Sequence, residues 1–357
     1  MVGCVQGVLT AGGLLSSALA LRAKASPLPA ILVLMLIGVS CAMAETKQGP
    51  DWVLENEQAQ WQARDSQGEF VYQDQMWILG GWVASDAPNP RDVWKSADGI
   101  NWTCTVAEAP WVHSDLSVAL PYDGRMWFMG GRKLPGKENS NKVWSSVDGA
   151  EWTLESEAAG WCPRVGASFA VFKDRMWVFG GTENFYEDTD ETLKNDVWSS
   201  TDGKEWKLEL EHAPWAKRTH AQGIVFKDKL WVMGGGRWNP ENVPTNDVWC
   251  TEDGVNWTQV TEAAPWDPRI WFSAVVYRDR LWIMGGWSRV HGNFGDVWYT
   301  EDGKEWTEFK SDRIWANRHE LSAVVFQDKI WVYGGYAETL NSEVWSLYIP
   351  QRFFAGE

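Results

Sequence analysis

Short apolar runs recur along the chain, and each ends on paired glycines: MWILGG, MWFMGG, MWVFGG, LWVMGG, LWIMGG and IWVYGG. The pairs are Gly80-Gly81, Gly130-Gly131, Gly180-Gly181, Gly234-Gly235, Gly285-Gly286 and Gly334-Gly335, in steps of 50, 50, 54, 51 and 49 residues. Runs this short, flanked by turn residues and rich in aromatic and β-branched side chains, predict strands. A second run follows each pair: Val93-Trp94, Val143-Trp144, Val197-Trp198, Val248-Trp249, Val297-Trp298 and Val344-Trp345. Five of these lead into an S/T-x-D-G-x-x-W stretch, where Asp-Gly signals a tight hairpin. Nine residues after that Trp comes another Trp, and nineteen residues later the next glycine pair. Each repeat thus predicts four antiparallel strands: a before a Lys-Asp-Arg-type turn, b ending in Gly-Gly, c at Val-Trp, and d after the Asp-Gly turn. The last repeat stops after Trp345 without a fourth strand, whereas Trp52 lies nine residues before Trp61 and Trp61 nineteen before Gly80. Residues around Trp52 are therefore expected to complete the last unit and close a ring.

A period near 50 residues with Gly-Gly after an apolar strand and a downstream Trp resembles the kelch family over residues 45–357. The resemblance implies an all-β, six-bladed β-propeller with no second domain. The S-x-D-G-x-x-W hairpin departs from the commoner kelch form and resembles an exported bacterial variant. It is also similar to the sialidase Asp-box but one residue short. The repeated Asp98, Asp148, Asp202, Asp253 and Asp302 are read as acceptors for turn amides rather than catalysts.

Composition sharpens this picture. The chain has 357 residues, and its 45% hydrophobic content excludes global disorder. With 48 acidic and 32 basic residues its charge is −16, which argues against a nucleic-acid partner. Residues 1–44 contain no acid; Arg22 and Lys24 precede an apolar run that ends Ala42-Met43-Ala44. That is the layout of a secretory signal peptide, expected to be cleaved after Ala44, with the apolar run too short for a membrane-spanning helix of ~20 residues. The expected location is extracytoplasmic, periplasmic or secreted, with no transmembrane span once the signal is removed. An uncleaved anchor and lipidation at Cys41 are the competing readings, the latter weakened by the poor Gly38-Val39-Ser40 context. Without the signal, 30 basic and 48 acidic residues leave a charge of −18, and Cys104, Cys162 and Cys250 are too few and too odd for a disulfide framework.

Function is expected on the face that carries the b–c and d–a connections, because the b–c loops vary while the other turns repeat. Four repeat positions in six blades account for 24 of the 28 tryptophans. The surplus Trp82, Trp238, Trp271 and Trp287, with Tyr336 in the matching place, fall in consecutive blades 4, 5, 6 and 1 and are candidate ligand-binding residues. Arg64, Arg164, Arg218, Arg269 and Arg318 recur three residues after the loop Trp, with Ser114 in repeat 2. They either bond loop carbonyls within the scaffold or, at Arg269 and Arg318, pair with an anionic ligand. Just beyond them the repeats diverge, to Asp65, Asp115, His220, Trp271 and His319-Glu320. His220, His319 and Glu320 are candidate acid–base residues, against the alternative of polar groups in a wet channel. The acidic stretch Glu183 to Glu191 lacks calcium-loop spacing and reads as a solvated loop, and His291 as a loop residue. No metal, nucleotide or nucleophile motif is present, and no cofactor is expected. Galactose oxidase shares the kelch architecture but needs a copper site with a Tyr–Cys crosslink, and no pairing here corresponds to it. The leading expectation is an exported, non-enzymatic module that recognises a glycan or another extracytoplasmic protein. The alternative is a sugar-processing enzyme, since exported kelch propellers of this size include sialic-acid mutarotases.

Overall fold

The computed structural model describes residues 45–355. The expected signal segment, and with it Cys41, lies outside the described residues. Six four-stranded antiparallel sheets stand around a central axis, a six-bladed β-propeller. Blade 1, for example, runs Gly68–Tyr72, Gln75–Leu79, Val93–Ser96 and Thr103–Val106 from the axis outward. Blade 6 takes Ser322–Phe326, Lys329–Tyr333 and Val344–Leu347 from the C-terminal end and Val53–Asn56 from the N-terminal end. Val53 pairs with Ser346 and Leu54 with Trp345, so the ring closes as the missing D-G-x-x-W copy implies. Among the described residues no helix is long and apolar enough to cross a membrane, and Cys104, Cys162 and Cys250 are free thiols.

The local chemistry of the turns explains the repeat. Every a–b turn has two residues at positive φ, such as Gln73-Asp74 and Lys173-Asp174, the type I′ geometry that matches strand twist. In each Asp-Gly hairpin the Asp carboxylate accepts two backbone N–H bonds; Asp202 Oδ1 takes those of Lys204 and Glu205 at 2.9 Å each. The hairpin glycine has a second duty. A Cβ on Gly203 would lie 2.1 Å from the Trp127 ring of the preceding blade, and one on Gly254 2.1 Å from Trp177. The same contact joins Gly99 to Trp331, Gly149 to Trp77 and Gly303 to Trp231. A strand-b Trp of one blade therefore lies flat on the hairpin of the next, and its indole N–H donates to a carbonyl of its own blade, Trp127 to Tyr122 at 3.0 Å.

One joint differs. Blade 6 has no Asp-Gly hairpin, so Trp282 of blade 5 lacks that cover. Tyr299, Phe309 and Phe354 pack on it instead. Beside them Glu45–Gln48 adds a parallel strand outside Trp306–Lys310, which the polar sequence ETKQ did not announce. Lys47 Nζ ties this strand to the C-terminal turn by donating to the Phe353 carbonyl at 2.6 Å.

Between blades, side chains from facing sheets interdigitate. Phe226, Trp231 and Met233 of blade 4 meet Leu281, Ile283 and Trp298 of blade 5, all buried. On the other face the backbone itself is stitched. The second glycine of each pair donates to the next blade, Gly81 to Ser114 O at 2.8 Å and onward round to Gly335, which donates to Arg64 O at 2.9 Å.

Candidate functional site

The mouth of the channel is built from two adjacent rows. The first follows the recurring Arg position: Asp65, Asp115, Val165, Thr219, Ile270 and His319. Each pairs in antiparallel fashion with the residue after a glycine pair, namely Trp82, Arg132, Thr182, Gly236, Trp287 and Tyr336. The second row comes one residue later: Ser66, Leu116, Gly166, His220, Trp271 and Glu320. All six have φ between 50° and 59°, the left-handed region that only glycine enters freely. Backbone N–H groups bond along this row, His220 to Gly166 O and Glu320 to Trp271 O at 2.8 Å each. One left-handed backbone position, repeated six times, thus presents six different residues at the opening, five with side chains and one glycine. The residues grouped from sequence as a single divergent set belong to both rows.

A pocket of about 390 Å³ opens here, lined by Trp82, Trp238, Trp271, Trp287 and Tyr336. The structure brings every aromatic candidate together. The half-buried Trp238 and Trp287 rings lie 5.1 Å apart, and Trp238 lies 4.6 Å from the buried Trp271. His319 is sandwiched between Trp271 at 5.1 Å and Tyr336 at 5.4 Å, nearly parallel to both. Asn293 fixes its tautomer. The amide Nδ2 donates to the carbonyls of Tyr336 and Ala337 at 3.0 Å, so Oδ1 faces His319 Nδ1 at 2.6 Å. Nδ1 therefore carries the proton and Nε2 the free lone pair.

The floor is acidic. Ser66 Oγ lies 2.8 Å from Glu320 Oε2 and 3.1 Å from Asp65 Oδ1. Asp115 is paired with Arg132, whose Nε donates to Oδ2 at 2.8 Å. Burial, reinforced by the Glu320 and Asp115 carboxylates, pushes Asp65 well above the usual carboxylate range. Burial first and Asp115 next push Glu320 up to about 8. Burial also raises Asp115, against the pull of Arg132, and holds His319 down to about 4.

Residues that sequence reasoning missed complete the pocket. Arg132 stacks its guanidinium 4.0 Å over Phe185, and Phe185 and Tyr186 form the far wall. Arg132 stands where Trp82 and Tyr336 stand in their repeats, a position after Gly-Gly that marks it in the sequence. Glu183–Glu191 is not a freely solvated loop. Asp188 is fully buried and accepts the Trp238 N–H at 2.7 Å, and Asp190 pairs with Arg237, so this segment pins Trp238 in place.

Two assignments change. Arg269 and Arg318 do not reach a ligand site. Arg269 is fully buried, donating to Gly285 O at 3.0 Å and to both oxygens of Asp296 at 2.5 and 2.8 Å. Arg318 is likewise buried against Gly334 O and Glu343. Arg64, Arg164 and Arg218 repeat the arrangement with Asp92, Asp196 and Asp247. The scaffold reading of these arginines is the one the geometry carries. His220, moreover, is buried below the mouth, edge-on to Trp271 and Phe185, with Nε2 unpartnered. Burial, with Arg132 and His319 adding to it, holds His220 down to about 3. His291 lies on an exposed loop, 3.9 Å from Asp267.

Fold and pocket define the class: a six-bladed, kelch-like propeller with an aromatic-walled, acid-floored pocket at one mouth of its channel. Among solved structures the chain is similar to that of YjhT, with a TM-score of 0.63 and 15% identity, over 81% of this chain and 95% of that one. At that identity the likeness is one of fold. Among curated proteins it is similar to Ras guanine nucleotide exchange factor F of Dictyostelium discoideum, at 31% identity over 102 residues, 28% of this chain. The match spans only 9% of that protein's length. No protein-family model matches the chain.

Proposed function

We propose that this propeller is a carbohydrate-recognition module that holds a sugar ring in the mouth pocket. The observation that carries the reading is the pocket itself, in which half-exposed Trp82, Trp238, Trp287 and Tyr336 surround a floor of carboxyl, hydroxyl and imidazole groups. Aromatic faces take the apolar C–H face of a sugar, and converging polar groups take its hydroxyls. Its volume of about 390 Å³ falls in the range of small-molecule sites. The basic and apolar segment before Glu45 supports an extracytoplasmic setting for this work.

A broad glycan array followed by calorimetry on the best sugar tests the reading. Trp287→Ala and Trp82→Ala should each weaken binding at least tenfold while the melting temperature stays within a few degrees. Unchanged affinity in both would remove the sugar from this pocket, and a blank array would move the function to a protein partner. Proton NMR of anomer exchange on the same sugar separates recognition from catalysis. Acceleration by the wild-type protein would make the site an enzyme of the mutarotase kind.

A further inference from the structure

We propose that Asp65, His319 and Glu320 form a binding site for a divalent first-row transition metal at the floor of the mouth pocket. This goes beyond the carbohydrate reading and does not depend on it. The three side chains come from opposite ends of the chain and meet because blade 6 closes against blade 1. Each offers one donor atom, and these atoms all lie within 4.8 Å of one another. Ligands at ~2.1 Å from a tetrahedral ion are about 3.4 Å apart, so the site needs a contraction of little more than an ångström.

Charge makes the case stronger. Among the described residues, neither Asp65 nor Glu320 has an ion-pair partner, and the Ser66 hydroxyl stands as the hydrogen-bond donor to both side chains. One hydroxyl proton serves one carboxylate at a time. The contrast is Asp115, a few ångströms away in the same floor, which has its own guanidinium. Two adjacent carboxylates shielded from bulk water, neither with an ion-pair partner, are stabilised by a cation between them. A proton is one such cation, but it gives no role to His319. That imidazole is held by Asn293 with Nδ1 protonated, which leaves Nε2 as a ready donor, the outer-shell arrangement typical of metal-bound histidines.

A second observation points to an occupant. Arg132, with its side chain 95% buried, has Nη1 unpartnered while lining the same pocket. Its charge is matched by Asp115, so it does not oppose a metal. Its free N–H suits an oxygen bound to one. Two carboxylates and one imidazole favour Zn²⁺ or Mn²⁺ over the oxygen-only sites of Mg²⁺ and Ca²⁺. Three protein donors leave coordination positions open, and the half-buried Glu320 and His319 turn those positions toward the aromatic walls, where oxygens of a pocket ligand would complete the shell.

The purified protein, stripped with chelator and dialysed against ZnCl₂ or, separately, MnCl₂, is assayed by elemental mass spectrometry with no sugar present. One equivalent should be retained. Glu320→Gln and His319→Gln should each lower affinity at least tenfold, and the double variant should retain none, with circular dichroism and melting temperature of the stripped forms verifying the fold. Co²⁺ loading gives an independent readout: visible d–d bands in the wild type that vanish in His319→Gln. No metal above the dialysis blank, or a full equivalent kept by a folded double variant, overturns the assignment. Either result leaves the sugar reading to stand or fall on its own array.

Discussion

The two faces of this propeller treat repetition in opposite ways. On the hairpin face the same contact recurs at five of six joints, a strand-b Trp against the glycine of the next Asp-Gly turn. On the mouth face the same backbone recurs, at φ between 50° and 59°, but the side chains are Ser66, Leu116, Gly166, His220, Trp271 and Glu320. The first face repeats its chemistry because each blade must lock to its neighbour. The second repeats only its geometry, and so can afford six different groups. Different residues on one repeated backbone position are what a single asymmetric site would need.

The largest effect should come from breaking a lock. Gly203→Val forces a branched side chain into a left-handed residue and into the Trp127 ring. A loss of about 3–5 kcal/mol is expected in urea or guanidinium unfolding. Leu116→Ala, at the mouth, should cost less than about 1 kcal/mol by the same assay. Similar losses for both would erase the distinction between the faces.

Next comes the arginine layer. Arg218→Met leaves the mostly buried Asp247 without its partner and should cost about 3–5 kcal/mol. Blade 2 suggests the rescue, because it has Ser114 where the others have Arg and Lys142 where they have Asp or Glu. Arg218→Ser with Asp247→Lys should recover at least half of that loss in the same unfolding experiment. No recovery would mean that blade 2 is stabilised by something else.

A smaller effect should appear in acid. Despite the opposing effect of burial, the paired guanidiniums hold Asp92, Asp247, Asp296 and Glu343 below their ordinary range. Depressed carboxylates contribute stability above their unfolded values near 4 and lose it as pH falls through the folded ones. Melting temperature should therefore drop below about pH 4, less steeply in the Ser–Lys blade variant. Glu69 acts in the other direction. Burial pushes it up to about 8, as it does Glu320, so stability declines as pH rises from about 4.5 through 8. Glu69→Gln should reduce that alkaline limb to the part Glu320 contributes, and an unchanged limb would reassign it.

Blade count, ring closure and the aromatic sector were legible because they rest on spacing. The surplus tryptophans could be counted against the repeat, and the topology put them on one face. The fate of Arg269 and Arg318 was less visible, since their partners Asp296 and Glu343 sit 27 and 25 residues downstream. A signal existed in the joint change to Ser114 and Lys142. The two mouth rows could not be told apart, because a left-handed residue shows itself in sequence only when it is glycine, and Gly166 alone is. Asp65 and Glu320 stand 255 positions apart, and only closure makes them neighbours. Asp188 reads as solvated in the sequence, because nothing in an acidic run shows which carboxylate a facing loop will bury.

The odd joint between blades 5 and 6 also sets an order of events. Ser346 meets Glu55 across 291 residues, so the strand that closes the ring is made long after the one it pairs with. Blades 1 to 5 can form as they emerge, each against its predecessor. The circle cannot close, and Asp65 cannot meet Glu320, until the final strand has been made. The mouth pocket therefore forms only after the strand Val344–Leu347, and a chain cut before Val344 would carry most of the propeller without its fastening.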